Sequence, residues 1–449
     1  MLNLKEQDDR FLGRFRRLEG SLGGEGPAWL VPLRRAAIDR YREQGFPGRR
    51  DEEWKYTSVK AIREGPFADA LPAIPDPAPE SIVGQRLLGG EGPLLVFVNG
   101  GYRASLSHVE GLPAGVRIGS LAEALREAPA SIEPHLGSLE PTHPHAFQLL
   151  NTAFFMDGAY LHLPAETVLE APVHLLFLSS SGSGGPTLNG GGAVHLRNLI
   201  VAEKGSAAVV VEDYTGEGGY LTNTVTEIVT GAGASLDRYK LEREPRVACH
   251  VAGLHVRQGR DSVFRNHFFS SGGGLVRDEI EARLDGTGGE CSLWGLYLGD
   301  GERHVDNHTT LHHARPHCRS WELYRGILHD RARGIFSGKI HVHPDAQKTD
   351  AKQSNNSLLL SGAAEAKTRP RLEIYADDVR CTHGATVGQL DDDALFYLRA
   401  RGIEREDAYR MLIGAFAGEV VKEFRCDVAR ARVEELLAEC LQGIGKSER

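Results

Sequence analysis

Cysteine is scarce in this chain: six in 449 residues, at positions 249, 291, 318, 381, 426 and 440. None stands in a C-x-x-C pair. A closed zinc site or a stable cluster site built from this chain alone is therefore not expected. A disulfide framework is equally unexpected in a chain of this length with no apolar secretory segment near its start. No run approaches the eighteen apolar residues of a membrane span. Basic residues do not prevail either: 52 Lys and Arg against 61 Asp and Glu give a formal charge of −9. A nucleic-acid binder needs a basic surface, so that class is set aside. No Gly-x-Ser-x-Gly elbow and no dinucleotide fingerprint after a strand is present. Near the C-terminus Gly443-Ile444-Gly445-Lys446-Ser447 resembles half a phosphate-binding loop, but position 440 is Cys where the motif needs glycine. No nucleotide site is expected on this chain, and that stretch reads as a disordered tail. The reading is a cytoplasmic protein with reduced, mostly buried thiols.

What is there begins with helical periodicity. Leu12, Phe15 and Leu18, then Leu33, Ala36, Ala37 and Tyr41, recur at three- and four-residue spacings. Gly20 to Pro27 reads as a breaker between two helices, and Gly45-Phe46-Pro47 ends the second. Leu71 to Pro79 is proline-rich and linker-like. A short strand over Leu94 to Val98 and a helix over Leu121 to Arg126, capped by Ser120, follow.

From about Gly158 to Gly388 short β-rich pieces alternate with Gly, Asp, Asn and Ser turns. Gly233-Ala234-Ser235-Leu236, Arg260-Asp261-Ser262-Val263, Glu290-Cys291-Ser292-Leu293 and Cys318-Arg319-Ser320-Trp321 recur about every 27 to 29 residues. Each places a turn before a β-rich run, as successive coils of a solenoid do. A β-sandwich pair is the competing architecture. The Gly-rich run Gly182 to Gly192 reads as a flexible turn. The last sixty residues are helical again. Asp391-Asp392-Asp393 opens a helix that Gly402 closes, and further helices cover about Glu404 to Phe424 and Val428 to Leu441. Their apolar faces are too many for a small helical unit to bury alone.

Chemistry concentrates in Tyr375 to Gly388. Cys381 and His383 stand two apart in a strand-like run, so they share one strand face and can address one bound atom. Thiolate and imidazole together suit iron or zinc. The alternative is a buried thiol beside a hydrogen-bonded imidazole. The Asp377-Asp378 pair can bend the strand, which leaves the face open. A second cluster holds His304, His308, His312, His313 and His317. The first three share one face of a strand or of a helix; a metal site and a histidine row on a stacked surface are both open readings. Lys348, Asp350 and Gln353 could line a site. Asn355 and Asn356 suit ladder positions in stacked strands.

Several motifs also carry a resemblance. Gly338-Lys339-Ile340, Asp345 to Ala351, Gln353 to Ser361, the Cys381/His383 stretch, Gly388-Gln389-Leu390-Asp391 and Leu395 to Ile403 occur in order. With Gly45-Phe46-Pro47 and Asp51-Glu52-Glu53-Trp54-Lys55-Tyr56-Thr57 they resemble the SufD family of the SUF iron–sulfur cluster assembly system. The match is dense over about residues 300 to 425. It implies a mainly β fold, a right-handed parallel β-helix (β-solenoid) with N-terminal and C-terminal helical regions. The expected division is 1–152 mostly helical with a linker, 153–388 β-helix core, and 389–449 a helical domain that docks an ATPase.

The resemblance further implies a non-catalytic scaffold. Its expected partners are SufB, paired through the β-helix edge near residues 340 to 388, and the SufC ATPase on the C-terminal helices, with a homodimer when isolated. In that family the position matching His383 lies at the interface with SufB and helps hold a transient iron–sulfur cluster or iron. Cys381 is a second ligand or a packed thiol. Two rivals stand beside this reading. A SufB-like paralogue shares the core motifs, but the cysteine motif near the N-terminus of many SufB proteins is missing. A carbohydrate-active β-helix enzyme would need acids gathered on one strand face, and here they scatter through turns.

Overall fold

From Ala193 to Gly388 the chain alternates between two sheets, laying one strand in each and then stepping up to the next coil. The computed structural model describes residues 4–22, 26–67, 70–71, 74–78, 82, 84–86, 92–139, 141, 144–181 and 191–443. Residues 182–190 of the Gly-rich run and 444–449 of the loop-like tail lie outside them. Among the described residues sheet A has nine strands and sheet B ten. Neighbouring strands of the stack pair in parallel, so the architecture is a β-solenoid flanked by helices.

The register explains the repeat in the sequence. In sheet B, Ser235, Val263, Glu290, Arg319, Asp350 and Arg380 stand one above another, at steps of 27 to 31 residues. The turn motifs at 233, 260, 290 and 318 are therefore the entries to sheet B alone. Each coil also contributes a sheet A strand, as in the column Leu221, Cys249, Leu275, His304, Arg333 and Glu365. The corners before the six sheet B strands from Ala207–Glu217 to Asp350–Leu359 each place one residue in the left-handed region: Gly205, Gly233, Asp261, Gly288, His317 and Lys348, with φ between 55° and 76°. Only glycine takes this conformation freely, and Asp and His are among the side chains that tolerate it best. His317 thus occupies a turn position.

Alternate residues of each strand point into the solenoid. In the strand Arg319–Leu328 these are Ser320, Glu322, Tyr324, Gly326 and Leu328. Most of the interior is apolar, but its middle carries charge. Arg238 donates to both carboxylate oxygens of Glu212 at 2.6 and 2.7 Å and to Asn266 Oδ1 at 2.7 Å. Lys240 meets Asp278 at 2.5 Å. Ions this deep are tolerated only when paired.

The helices cover the outer faces. Arg405–Val421, Asp427–Gly443 and the turn between them bury Ile413, Val420, Phe424, Val433 and Leu437 against Tyr239, Phe269, Trp294 and Leu296 of sheet B. Helix Ala146–Phe154 lies buried on sheet A, where Asn151 donates to the carbonyls of Leu196 and Asn223. Expected and observed elements agree closely in several places. Strand Leu94–Val98 forms, Ser120 Oγ caps the helix from Leu121, and Asp391 caps the helix Asp392–Ala400. The N-terminal helix runs from Leu4 to Leu22, two residues beyond Gly20 into the expected breaker, and the next helix begins at Leu30. Strands before residue 153 also join the sheets, Leu94–Val98 in sheet B and Arg117–Ser120 in sheet A. No helix among the described residues is long and apolar enough to cross a membrane.

Candidate functional site

The stack ends in two outermost strands, Glu365–Ile374 in sheet A and Arg380–Gly388 in sheet B, each paired on one side within its sheet. The backbone N–H and C=O groups on the other side await partners, and such an edge is a template for another strand. Ile374, Tyr375 and Val387 are exposed here, a concentration of apolar surface at the end of the molecule.

Cys381 stacks on Ala351 and His383 on Gln353. Both residues below are buried in the solenoid, so Cys381 and His383 continue its inward-facing columns. The pair shares one face, as its spacing requires, and that face is the interior one. His383 is nevertheless exposed, because no coil of this chain lies above it. Cys381 is half-buried against the core cluster. Burial pushes its thiol pKa up, and the nearby Asp350 carboxylate pushes the same way. It is a thiol at neutral pH in the free chain, and a metal must displace its proton to bind it.

The histidine cluster is shared out among separate partners. His304 Nε2 lies 2.8 Å from Thr57 Oγ1. His308 stands between Asp306, at 2.9 Å, and Glu53, at 3.4 Å. Burial and Arg277 lower its pKa, yet the two carboxylates outweigh them and the imidazole's pKa is raised. His312 faces Glu281 at 3.1 Å. His313 points inward to Ser320, and burial drives its pKa down to about 4. No three His, Cys, Asp or Glu side chains among the described residues converge as a metal site. Lys348 pairs with Asp378, while Gln353 and Asn355 point inward and Asn356 bonds Thr386 one coil above.

Two groupings are not visible in the sequence pattern. The segment Asp51–Thr57 crosses the outer face of sheet A to its last strand: Glu52 pairs with Arg369, Glu53 with Arg371, and Tyr56 lies under Lys367. Trp54 is sandwiched between Phe147 and the Arg277 guanidinium, which sits 3.6 Å from its ring centre. The second is Glu322, buried beneath Gln353, whose pKa burial lifts to about 7. Its signal was its place one coil before Gln353.

The helix Asp392–Ala400 leaves Phe396 and Tyr397 with 74% and 56% of their surface exposed, beside an exposed Met411. The longer helices behind it are fixed to sheet B. Arg325 donates to the Phe416 carbonyl at 2.7 Å and pairs with Glu419, and Tyr239 Oη accepts from the Arg425 and Cys426 N–H groups.

Two family models together span most of this chain. "SUF system FeS cluster assembly, SufBD core domain" matches residues 186–416, and "SufBD protein N-terminal region" matches 5–175. The chain belongs to the SufBD family. Among its curated SufBD relatives, the SufD iron–sulfur cluster assembly protein of Escherichia coli is 30% identical over 92% of this chain and 93% of that protein. An iron–sulfur cluster assembly SufBD family protein of Synechocystis is 30% identical over 94% of this chain and 93% of its own length. SufD of Bacillus subtilis is 29% identical over 62% of this chain. The SufBD core model covers every coil from sheet A strand Ala193–Ala202 to the edge that carries Cys381 and His383.

Proposed function

We propose that this SufBD protein is a non-catalytic scaffold of cytoplasmic iron–sulfur cluster assembly whose site is completed by a second subunit. The observation that carries the reading is the interior column that ends in an exposed His383 on an unpaired sheet edge. A SufB subunit pairs with that edge, adding strands by β-augmentation and closing over the imidazole. His383 is then an iron ligand toward the nascent cluster, which is cargo and not a resident cofactor. Cys381 is the candidate second ligand from this chain. A lone edge of this kind also pairs with a second copy when the subunit is isolated.

The exposed Phe396 and Tyr397 are where the SufC ATPase docks, so the nucleotide belongs to the partner. ATP-driven association of two such ATPases would strain the paired edges, which requires the two states to bind differently. The longer C-terminal helices shield sheet B, so point changes test this docking better than deletion of 391–449. The experiment is co-purification with SufB and SufC followed by anaerobic loading with iron and sulfide. His383→Ala is expected to reduce cluster yield with the complex intact. Phe396→Ser with Tyr397→Ser is expected to release the ATPase and spare the SufB pairing. A full cluster yield in His383→Ala would defeat the ligand role.

A further inference from the structure

His383 stands at the top of an inward column of sheet B whose next members below are Gln353 and Glu322. Both lower side chains are 3% exposed. Glu322 Oε2 accepts from Thr309 Oγ1 at 3.0 Å and from Gln353 Nε2 at 2.7 Å. Glu322 Oε2 takes the Nε2 end of the Gln353 amide, and the Oε1 end is left over. That oxygen is buried and has no hydrogen-bond partner among the described residues. Buried amide oxygens are nearly always satisfied, so a missing donor points to a state in which one arrives.

The register limits which donor that is. The strand Arg380–Gly388 lies directly above, and its inward positions are Cys381, His383, Ala385 and Val387. Directly over Gln353 stands His383; of the two neighbouring columns, one ends in Ala385, which has no side-chain donor, and the other in Cys381, whose S–H is a weak one. Across the interior, Gly338 makes room for the amide. A Cβ there would lie 2.3 Å from Gln353 Nε2 and 2.7 Å from its Cδ.

We propose that Gln353 is the positioning residue for His383. When the partner subunit closes over the edge, the imidazole folds onto the column and one ring N–H donates to Gln353 Oε1. The other nitrogen then carries the lone pair outward, toward iron. A neutral imidazole has one donor and one acceptor nitrogen, and fixing the first fixes the second. Glu322, itself held by Thr309, holds the amide, and Gly338 leaves it space. This inference rests on the reading of His383 as an iron ligand.

The test uses the full-length chain in its co-purified complex, labelled with ¹⁵N-histidine, with Fe²⁺ alone as the probe. The His383 signals are assigned by their loss in His383→Ala. The wild type is expected to show His383 in one tautomer. Gln353→Ala is expected to give mixed tautomers and weaken Fe²⁺ binding about ten- to a hundredfold. Gln353→Glu restores an acceptor and is expected to restore the single tautomer. Gly338→Ala, which displaces the amide without removing it, is expected to behave as Gln353→Ala. A His383 tautomer unchanged in Gln353→Ala overturns the inference, as does a loss of Fe²⁺ affinity that Gln353→Glu does not rescue. Wild-type Fe²⁺ binding in His383→Ala would instead overturn the ligand reading, whatever the tautomer spectra show.

Discussion

Glu53 accepts a 2.7 Å hydrogen bond from the guanidinium of Arg371, 318 residues further along the chain. The same carboxylate faces His308, so the N-terminal segment is clasped across the strands that end sheet A. The contact ties the outermost strand, where partner pairing is proposed, to a segment more than three hundred residues upstream.

The clasp should have a pH window. The His308 hydrogen bond, reinforced by Arg371 against burial, holds the Glu53 pKa down to about 2 from its usual 4.5. Its contribution is present above 4.5 and lost as pH falls toward 2. The His308 pKa is raised above its usual 6.5, so its contribution is full below 6.5 and lost as pH rises through the folded value. The segment is held most firmly between pH 4.5 and 6.5. The protection factors of the 52–57 amides, with the intrinsic pH dependence of exchange divided out, are expected to be highest in that range. Because Glu53 is 46% exposed, solvent screening limits the effect, and Glu53→Gln should cost about 1 kcal/mol or less. Exchange in Glu53→Gln that matches the wild type at every pH would contradict the clasp.

Much of this architecture was legible, and the parts that were not have physical reasons. The turn repeat gave away the stacking because the corners at Gly233, Asp261, Gly288 and His317 each hold a left-handed residue. The sheet A strands escaped the same count, since their register steps drift from 26 to 32 residues as corner loops change length. Glu322 was hidden because the sheet B step that sets it under Gln353 is 31 residues, longer than the turn repeat visible in the sequence. The row His304, His308 and His312 was correctly placed on one strand face, but its partners lie in sequence-distant segments at Thr57, Glu53 and Glu281. The interior charges could not be read as buried at all, because Arg238 and Lys240 look like solvent-facing residues until the coil below supplies their carboxylate or the opposite sheet does.

Breaking that interior pairing should be expensive. Arg238 is the largest part of a cluster that also holds Glu212, Asn266 and the Tyr214 hydroxyl, which donates to Glu212 at 2.8 Å. Arg238→Met leaves the Glu212 carboxylate without its counter-charge and is expected to cost about 3–5 kcal/mol in urea unfolding. Adding Glu212→Gln removes the stranded charge and should return part of the loss. A single variant as stable as the wild type would show that Glu212 is neutral or hydrated.

The thiols should divide into two classes. Cys249, Cys291 and Cys318 are enclosed, and burial raises all three pKa values, that of Cys249 to about 12. None of them should react with iodoacetamide in the folded protein. Cys381, Cys426 and Cys440 are half-buried, with pKa values raised chiefly by burial, so their labelling should quicken as pH rises. Pairing with SufB is expected to protect Cys381, which sits on the unpaired edge. Cys381 labelled equally fast in the complex would place the partner elsewhere.

Glu322 should leave its mark on the stability of the whole solenoid. Burial raises its pKa from 4.5 to about 7 despite donors from Gln353 and Thr309. The folded state therefore holds this proton more tightly than the unfolded chain does. Sign follows directly: the favourable contribution is complete below pH 4.5, declines as pH rises and is gone above about 7. The difference amounts to something on the order of 3 kcal/mol. Glu322→Gln keeps an acceptor for Thr309 and Gln353 but cannot ionise. Subtracting its unfolding free energies from those of the wild type cancels the other titrating groups, provided the variant leaves them undisturbed. The wild type is expected to lose stability relative to Glu322→Gln between pH 4.5 and 7 and to run parallel to it above pH 8. Two parallel curves over the full range would mean that Glu322 ionises in the folded protein as readily as it does in water, and that water reaches the floor beneath Gln353.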